Sequence, residues 1–198
     1  MRVTILDYGA GNLHSLAKAL DDGISEVRIE PDPDAALDTD VLVLPGVGAF
    51  GHAASRLARA RNDIREAIQR GLPCVGICLG MQLLFNESDE GDGAGLDVIE
   101  GRVTRVQARR VPHIGWTTIV DTTDSAFARA PLDVAYYANG FACRPTRSDV
   151  VRAWSVHEAD RFPAMVREGS AVGVQFHPEK SSRAGVAFLR TLVREAGA

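Results

Sequence analysis

Residues 74–81 run Cys-Val-Gly-Ile-Cys-Leu-Gly-Met, an apolar stretch that breaks at Cys78 and passes at once into a helical pattern. Few local patterns restrict a fold so strongly. Gly76 and Gly80 flank the cysteine in a G-x-C-x-G elbow, which lets a strand turn sharply into a helix and leaves the side chain at the bend exposed above a sheet edge. A cysteine there also sits at a helix N-terminus, where unpaired N–H groups and the helix dipole favour a negative charge on sulfur. The chain is therefore expected to present a nucleophile that forms a covalent intermediate.

The same grammar repeats upstream. Residues 3–6 are apolar and end in the glycine-rich Asp7-Tyr8-Gly9-Ala10-Gly11-Asn12, after which Leu13, Leu16, Ala17 and Leu20 recur at helical spacing. Residues 27–29 form a second expected strand, closed by Pro31 and Pro33. Residues 41–44 are apolar throughout, as in a strand buried on both faces of a parallel sheet, and Pro45-Gly46-Val47-Gly48 stops them. Residues 52–70 are expected to be one long helix and residues 79–85 the helix behind the elbow. Right-handed crossovers turn this alternation into an α/β fold: a doubly wound, mostly parallel central sheet flanked by helices. Ligands bind such sheets beyond the carboxyl ends of the strands, so the turns at 7–12, 45–48 and 78–80 are expected to converge.

From Gly101 the apolar pieces become short: 103–106, 114–120, 134–138, 150–154, 164–167 and 172–176, with a helix over 184–194. Their spacing predicts an antiparallel or mixed extension of the same core. There is no internal repeat or linker, so residues 1–198 are expected to form a single domain, large enough to bury a core unaided. Residues 90–95, Glu-Gly-Asp-Gly-Ala-Gly, are expected to be a surface loop.

A net charge of −4 without a basic block argues against nucleic acid or an anionic membrane as partner. Three cysteines form neither a disulfide framework nor a zinc-spaced set, so no metal or cofactor is expected. Asp7 interrupts the first apolar run too early for a signal peptide, and a reducing, cytoplasmic setting is expected.

A thiolate that attacks and later leaves needs a base, and the base needs an orienting partner. His177-Pro178-Glu179 supplies both. In extended backbone, residues i and i+2 point the same way, so imidazole and carboxylate lie side by side, and Pro178 places them at a strand end. Cys78, His177 and Glu179 are therefore the expected catalytic residues. Cys74 and Cys143 are expected to be buried small apolar groups.

The elbow, the His-Pro-Glu segment and the Pro-Gly-Val-Gly loop together resemble the class I, triad-type glutamine amidotransferases. The segments 7–13, 44–50, 76–85, 113–116 (His-Ile-Gly-Trp) and 176–181 (Phe-His-Pro-Glu-Lys-Ser) occur in order. Together they are similar to the glutaminase subunits of imidazole glycerol phosphate synthase. The resemblance implies a flavodoxin-like sheet and hydrolysis of glutamine to glutamate and ammonia through a Cys78 thioester. It further implies an oxyanion hole at Leu79 and the Val47/Gly48 loop, with glutamine held by Gly48, Gln82 and Glu90. The implied partner is a cyclase subunit built as a β/α barrel, which receives the ammonia in a heterodimer during histidine biosynthesis. Asn12, Trp116, Tyr136 and Lys180 are the implied interface, and Trp116 equally suits a core position. Glycines on both sides of Val47 make its peptide easy to rotate, which suggests an oxyanion loop completed only when the partner binds.

Two departures stand out. Ala138-Asn139-Gly140-Phe141 follows Tyr136-Tyr137 where many relatives carry an F-V-H-S-Y-type stretch, and Thr117 stands where asparagine is usual. Three alternatives remain open: a glutaminase subunit of another biosynthetic pathway, a stand-alone γ-glutamyl cysteine hydrolase, and a flavodoxin-like binding module.

Overall fold

The structure, a computed structural model, describes residues 1–9 and 11–197; Ala10 of the first glycine-rich turn and Ala198 lie outside the described residues. Strand and helix alternate through the first half. The order is β1 (Arg2–Leu6), α1 (Leu13–Leu20), β2 (Glu26–Glu30), α2 (Pro33–Ala36), β3 (Val41–Leu44), α3 (Phe50–Leu57), α4 (Arg61–Gln69), β4 (Cys74–Ile77) and α5 (Leu79–Leu83). The second half is strand-rich: β5 (Phe85–Ser88), β6 (Ile99–Arg105), β7 (His113–Val120), α6 (Ser125–Arg129), β8 (Val134–Asn139), β9 (Phe141–Pro145), β10 (Val151–His157), β11 (Asp160–Glu168), β12 (Ala171–Val174) and α7 (Ser182–Ala196).

Nine strands form one sheet in the order β2-β1-β3-β4-β12-β11-β10-β7-β8. The pairings from β2 to β12 are parallel, and those from β12 to β8 are antiparallel. The parallel centre with an antiparallel extension is the architecture expected from the sequence. A small second sheet, β5-β6-β9, packs beside it. Side chains alternate between the two faces. Val41, Val43, Val75 and Ile77 share one apolar cluster with Leu16 and Leu20 of α1 and Phe188 and Leu192 of α7. Leu42, Leu44 and Cys74 point the other way, into a cluster with Phe50, Leu57, Ile64 and Met81 from α3, α4 and α5. Both faces of β3 and β4 are thus covered, which is why their sequences carry no polar position.

Three expectations are corrected. The long helix over 52–70 is two helices, α3 and α4, separated at residues 58–60. Leu57, Ala60, Ile64 and Ile68 all enter one apolar cluster, so the stripe continues across a break that periodicity does not register. The helix behind the elbow stops at Leu83, because Phe85 begins a strand paired with Ile99 of β6. Strand β9 is an addition, its pairing with β6 obscured in the sequence by Gly140 and Pro145.

Candidate active site

Cys78 lies where β4 ends, at φ 48° and ψ −103°, a conformation rarely adopted by a side-chain-bearing residue. Its N–H donates to the Val174 carbonyl of the neighbouring strand β12 at 2.7 Å, which ties the bend to that strand. The elbow glycines are required by contact. A Cβ on Gly76 would lie 2.5 Å from the Gly80 carbonyl oxygen, and one on Gly80 would collide with the Leu44 carbonyl oxygen. Helix α5 and strand β3 therefore touch backbone to backbone beneath the cysteine.

His177 follows β12 with extended backbone, and a single 3-10 turn, Pro178–Lys180, comes after it. Its Nδ1 is 2.9 Å from Glu179 Oε1. The pair meets although Glu179 sits in the turn and not in extended chain. His177 is almost completely buried. Burial works against a charged ring, but hydrogen bonds and charges from Cys78 and Glu179 outweigh it, and the imidazole is pushed up to about 9. The balance of these contacts favours the protonated ring. The His177 N–H donates to the Tyr136 carbonyl at 2.8 Å, while Ser181 Oγ donates to the His177 carbonyl at 2.7 Å and accepts from the Tyr136 N–H at 2.8 Å. A buried serine thereby locks the histidine to the edge strand β8.

Cys78 and His177 line a cavity of about 140 Å³ together with Gly46, Val47, Gly48, Leu79, Gln82, Glu90, Lys180 and the segment 138–141. The turns at 45–48 and 78–80 converge there. Glu90 stands at the cavity with Oε2 accepting the Phe50 N–H at 3.1 Å, and burial raises its carboxyl above the usual range despite that bond. Residues 90–95 thus carry one side chain into the site. Val47 is exposed beside it.

Asn12, Trp116 and Tyr136 are not among the residues that line this cavity. Trp116 is 55% exposed and meets Tyr136 edge to face at 6.1 Å, directly opposite it on β7 and β8, so it is a surface residue. Asn12 is exposed and its Oδ1 caps α1 through the Ser15 N–H at 3.2 Å. Cys74 and Cys143 are fully buried, and burial alone pushes the Cys74 thiol up to about 12. Among the described residues no cluster of His, Cys, Asp or Glu is placed to hold a metal ion, and no helix is long and apolar enough to cross a membrane.

Sequence reasoning missed two polar groups at the site. The Tyr8 hydroxyl, buried, donates to the Pro45 carbonyl and so anchors the 45–48 loop to the first turn. Gln175 is fully buried in the otherwise apolar run 172–176; a polar residue there needs a partner, which is the signal that was available. It has two, Cys78 and Gln82.

An elbow cysteine beside a protonated histidine and its carboxylate, on a half-parallel α/β sheet, is the arrangement of a thiol-dependent acyl-transfer enzyme. The family profile "Glutamine amidotransferase class-I" matches residues 4–195, and the chain belongs to that family. Within it, the chain is 38% identical over 206 residues to "Imidazole glycerol phosphate synthase subunit HisH" of Corynebacterium diphtheriae, covering 97% of this chain and 98% of that one. The protein of the same name from Symbiobacterium thermophilum is 42% identical over 194 residues, covering 95% and 91%. Among solved structures, one titled as a glutamine amidotransferase superposes with a TM-score of 0.78 at 19% identity over 99% of both chains. A glutamine amidotransferase from Thermotoga maritima gives 0.70 at 19% identity, over 100% of this chain and 98% of that one. These two establish likeness of fold.

Proposed function

We propose that this chain is the glutaminase subunit of an imidazole glycerol phosphate synthase, working in histidine biosynthesis as a single amidotransferase domain over residues 1–198. One observation carries the reading: relatives named HisH match it nearly end to end, over 97% and 95% of this chain. Cys78 attacks the side-chain amide carbon of glutamine. The imidazolium of His177 protonates the departing ammonia, and the freed ring then takes a proton from the water that hydrolyses the thioester, giving glutamate. Glu179 orients the ring through its 2.9 Å contact. Each tetrahedral intermediate carries an oxyanion, for which Leu79 N–H and the Val47/Gly48 loop are the assigned donors. Gly48, Gln82 and Glu90, all on the cavity wall, hold glutamine.

The chain acts in a heterodimer in the cytoplasm, and its partner is a cyclase subunit built as a β/α barrel. Asn12, Trp116, Tyr136 and Lys180 form the contact surface. The exposed Trp116 stacked edge to face on the half-buried Tyr136, and the exposed Lys180 at the cavity, support this assignment. The deciding experiment is a glutaminase assay with and without the cyclase partner and its nucleotide ligand. Turnover is expected to rise with the partner and to vanish in Cys78→Ala. Coupling only to an acceptor from another pathway, or turnover of γ-glutamyl peptides without a partner, would replace the reading.

A further inference from the structure

We propose that Gln175 is a catalytic residue, whose side-chain amide donates a hydrogen bond to the Cys78 sulfur and stabilises the thiolate. This rests on the reading of Cys78 as nucleophile. Gln175 Nε2 lies 3.5 Å from Cys78 Sγ, within the range for a hydrogen bond to sulfur, and Gln175 is completely buried. Its place follows from register. Val174 pairs with Ile77 in the parallel ladder between β12 and β4, so the next residue along each strand faces the other just above the sheet edge.

The direction of the amide is fixed by a carbonyl on another element. The Phe141 oxygen on β9 can only accept, and it receives Gln82 Nε2 at 3.1 Å and Asn139 Nδ2 at 3.0 Å. The Gln82 amide group therefore turns its nitrogen inward, and that nitrogen also donates to Gln175 Oε1 at 3.4 Å. With its oxygen engaged, Gln175 presents nitrogen to the sulfur. A chain of oriented amides from Phe141 through Gln82 to Gln175 thus ends in a donor aimed at the reacting atom. A donor stabilises the anion more than the neutral thiol, because hydrogen bonds to charged groups are the stronger kind. The other ionisable groups around the sulfur are His177 after β12, Tyr8 after β1 and Cys143 on β9, with Glu90 and Lys180 on the wall of the same cavity. The imidazolium and the Lys180 ammonium are the positive charges here, and Gln175 adds an uncharged donor to the sulfur.

The test is the rate of Cys78 alkylation by iodoacetamide as a function of pH, in the full chain and in Gln175→Leu and Gln175→Glu. Alkylation reports the thiolate without needing an oxyanion hole, so it isolates this contact from the rest of the reaction. The alkylation profile is expected to move about one pH unit to the alkaline side in Gln175→Leu and further in Gln175→Glu, where a carboxylate faces the sulfur. In Gln175→Leu, kcat for glutamine at neutral pH is expected to fall about tenfold with KM changed less than about threefold. Profiles superimposable on the wild type in a folded variant overturn the proposal. If the leucine variant fails to fold, the near-isosteric glutamate variant decides alone. A wild-type chain that hydrolyses no glutamine even with the cyclase partner and its ligand present defeats the glutaminase reading instead, and does so whatever the variants show.

Discussion

Removing either neighbour of His177 should drop its proton affinity, and removing both should invert the perturbation. The ring is pushed from 6.5 to about 9. At about 1.4 kcal/mol per pH unit, that displacement is about 3–4 kcal/mol in favour of the protonated form. Burial opposes it, so Cys78 and Glu179 together supply more than the net. Glu179→Gln and Cys78→Ala should each lower the midpoint, and the double variant should titrate below 6.5 because burial then acts unopposed. The assay is ¹H–¹⁵N NMR of the imidazole nitrogens across neutral and alkaline pH. Stability follows the same sign. The folded-state value lies above the unfolded one, so the stabilisation is complete below pH 6.5 and is lost as pH rises through about 9. Urea midpoints of the wild type should fall across that window, and those of Glu179→Gln should fall less. An imidazole that titrates identically in all four proteins would refute the account of its surroundings.

Tyr8→Phe leaves the Pro45 carbonyl without its buried donor, and should cost about 1–3 kcal/mol in urea denaturation while lowering glutaminase kcat more than iodoacetamide reactivity. Equal losses in both would show that the tether serves only stability. Gly80→Ala drives a methyl into the Leu44 carbonyl oxygen and must push α5 off β3; a loss above about 2 kcal/mol, with slowed Cys78 alkylation, is expected by thermal denaturation and labelling. Asp160 is nearly buried, accepts two bonds from Arg144 Nη2 at 2.9 and 2.6 Å and one from the Gln107 N–H at 2.8 Å. Asp160→Asn leaves the arginine charge without its partner and should cost about 3 kcal/mol in urea denaturation, with the NMR titration of His177 unchanged.

Legibility in the sequence tracked how local the determining forces are. β3 and β4 coincide with the expected runs because burial on both faces leaves no polar interruption and Pro45 or an elbow sets the end. The split between α3 and α4 was invisible, since the apolar stripe runs on through Ala60. β5 was hidden because Asn86, Glu87 and Ser88 hold to a strand through pairing with β6, not through any apolar pattern of their own. The same divide holds at the site. The elbow and the His-Glu contact are written within a few residues and were readable. Gln175 meets Cys78 and Gln82 across 97 and 93 positions, and Tyr8 meets Pro45 across 37, so only the assembled sheet reveals what those polar side chains do.

The parallel ladder between β4 and β12 joins chain segments made far apart in time. During synthesis the cysteine emerges 99 positions before its histidine (177 minus 78), and β12 must insert between β4 and β11, strands already present. A ribosome-bound fragment therefore carries an isolated sulfur with neither proton carrier nor amide donor. Only when the last central strand docks between β4 and β11 do Gln175 and His177 come to the cavity that holds Cys78.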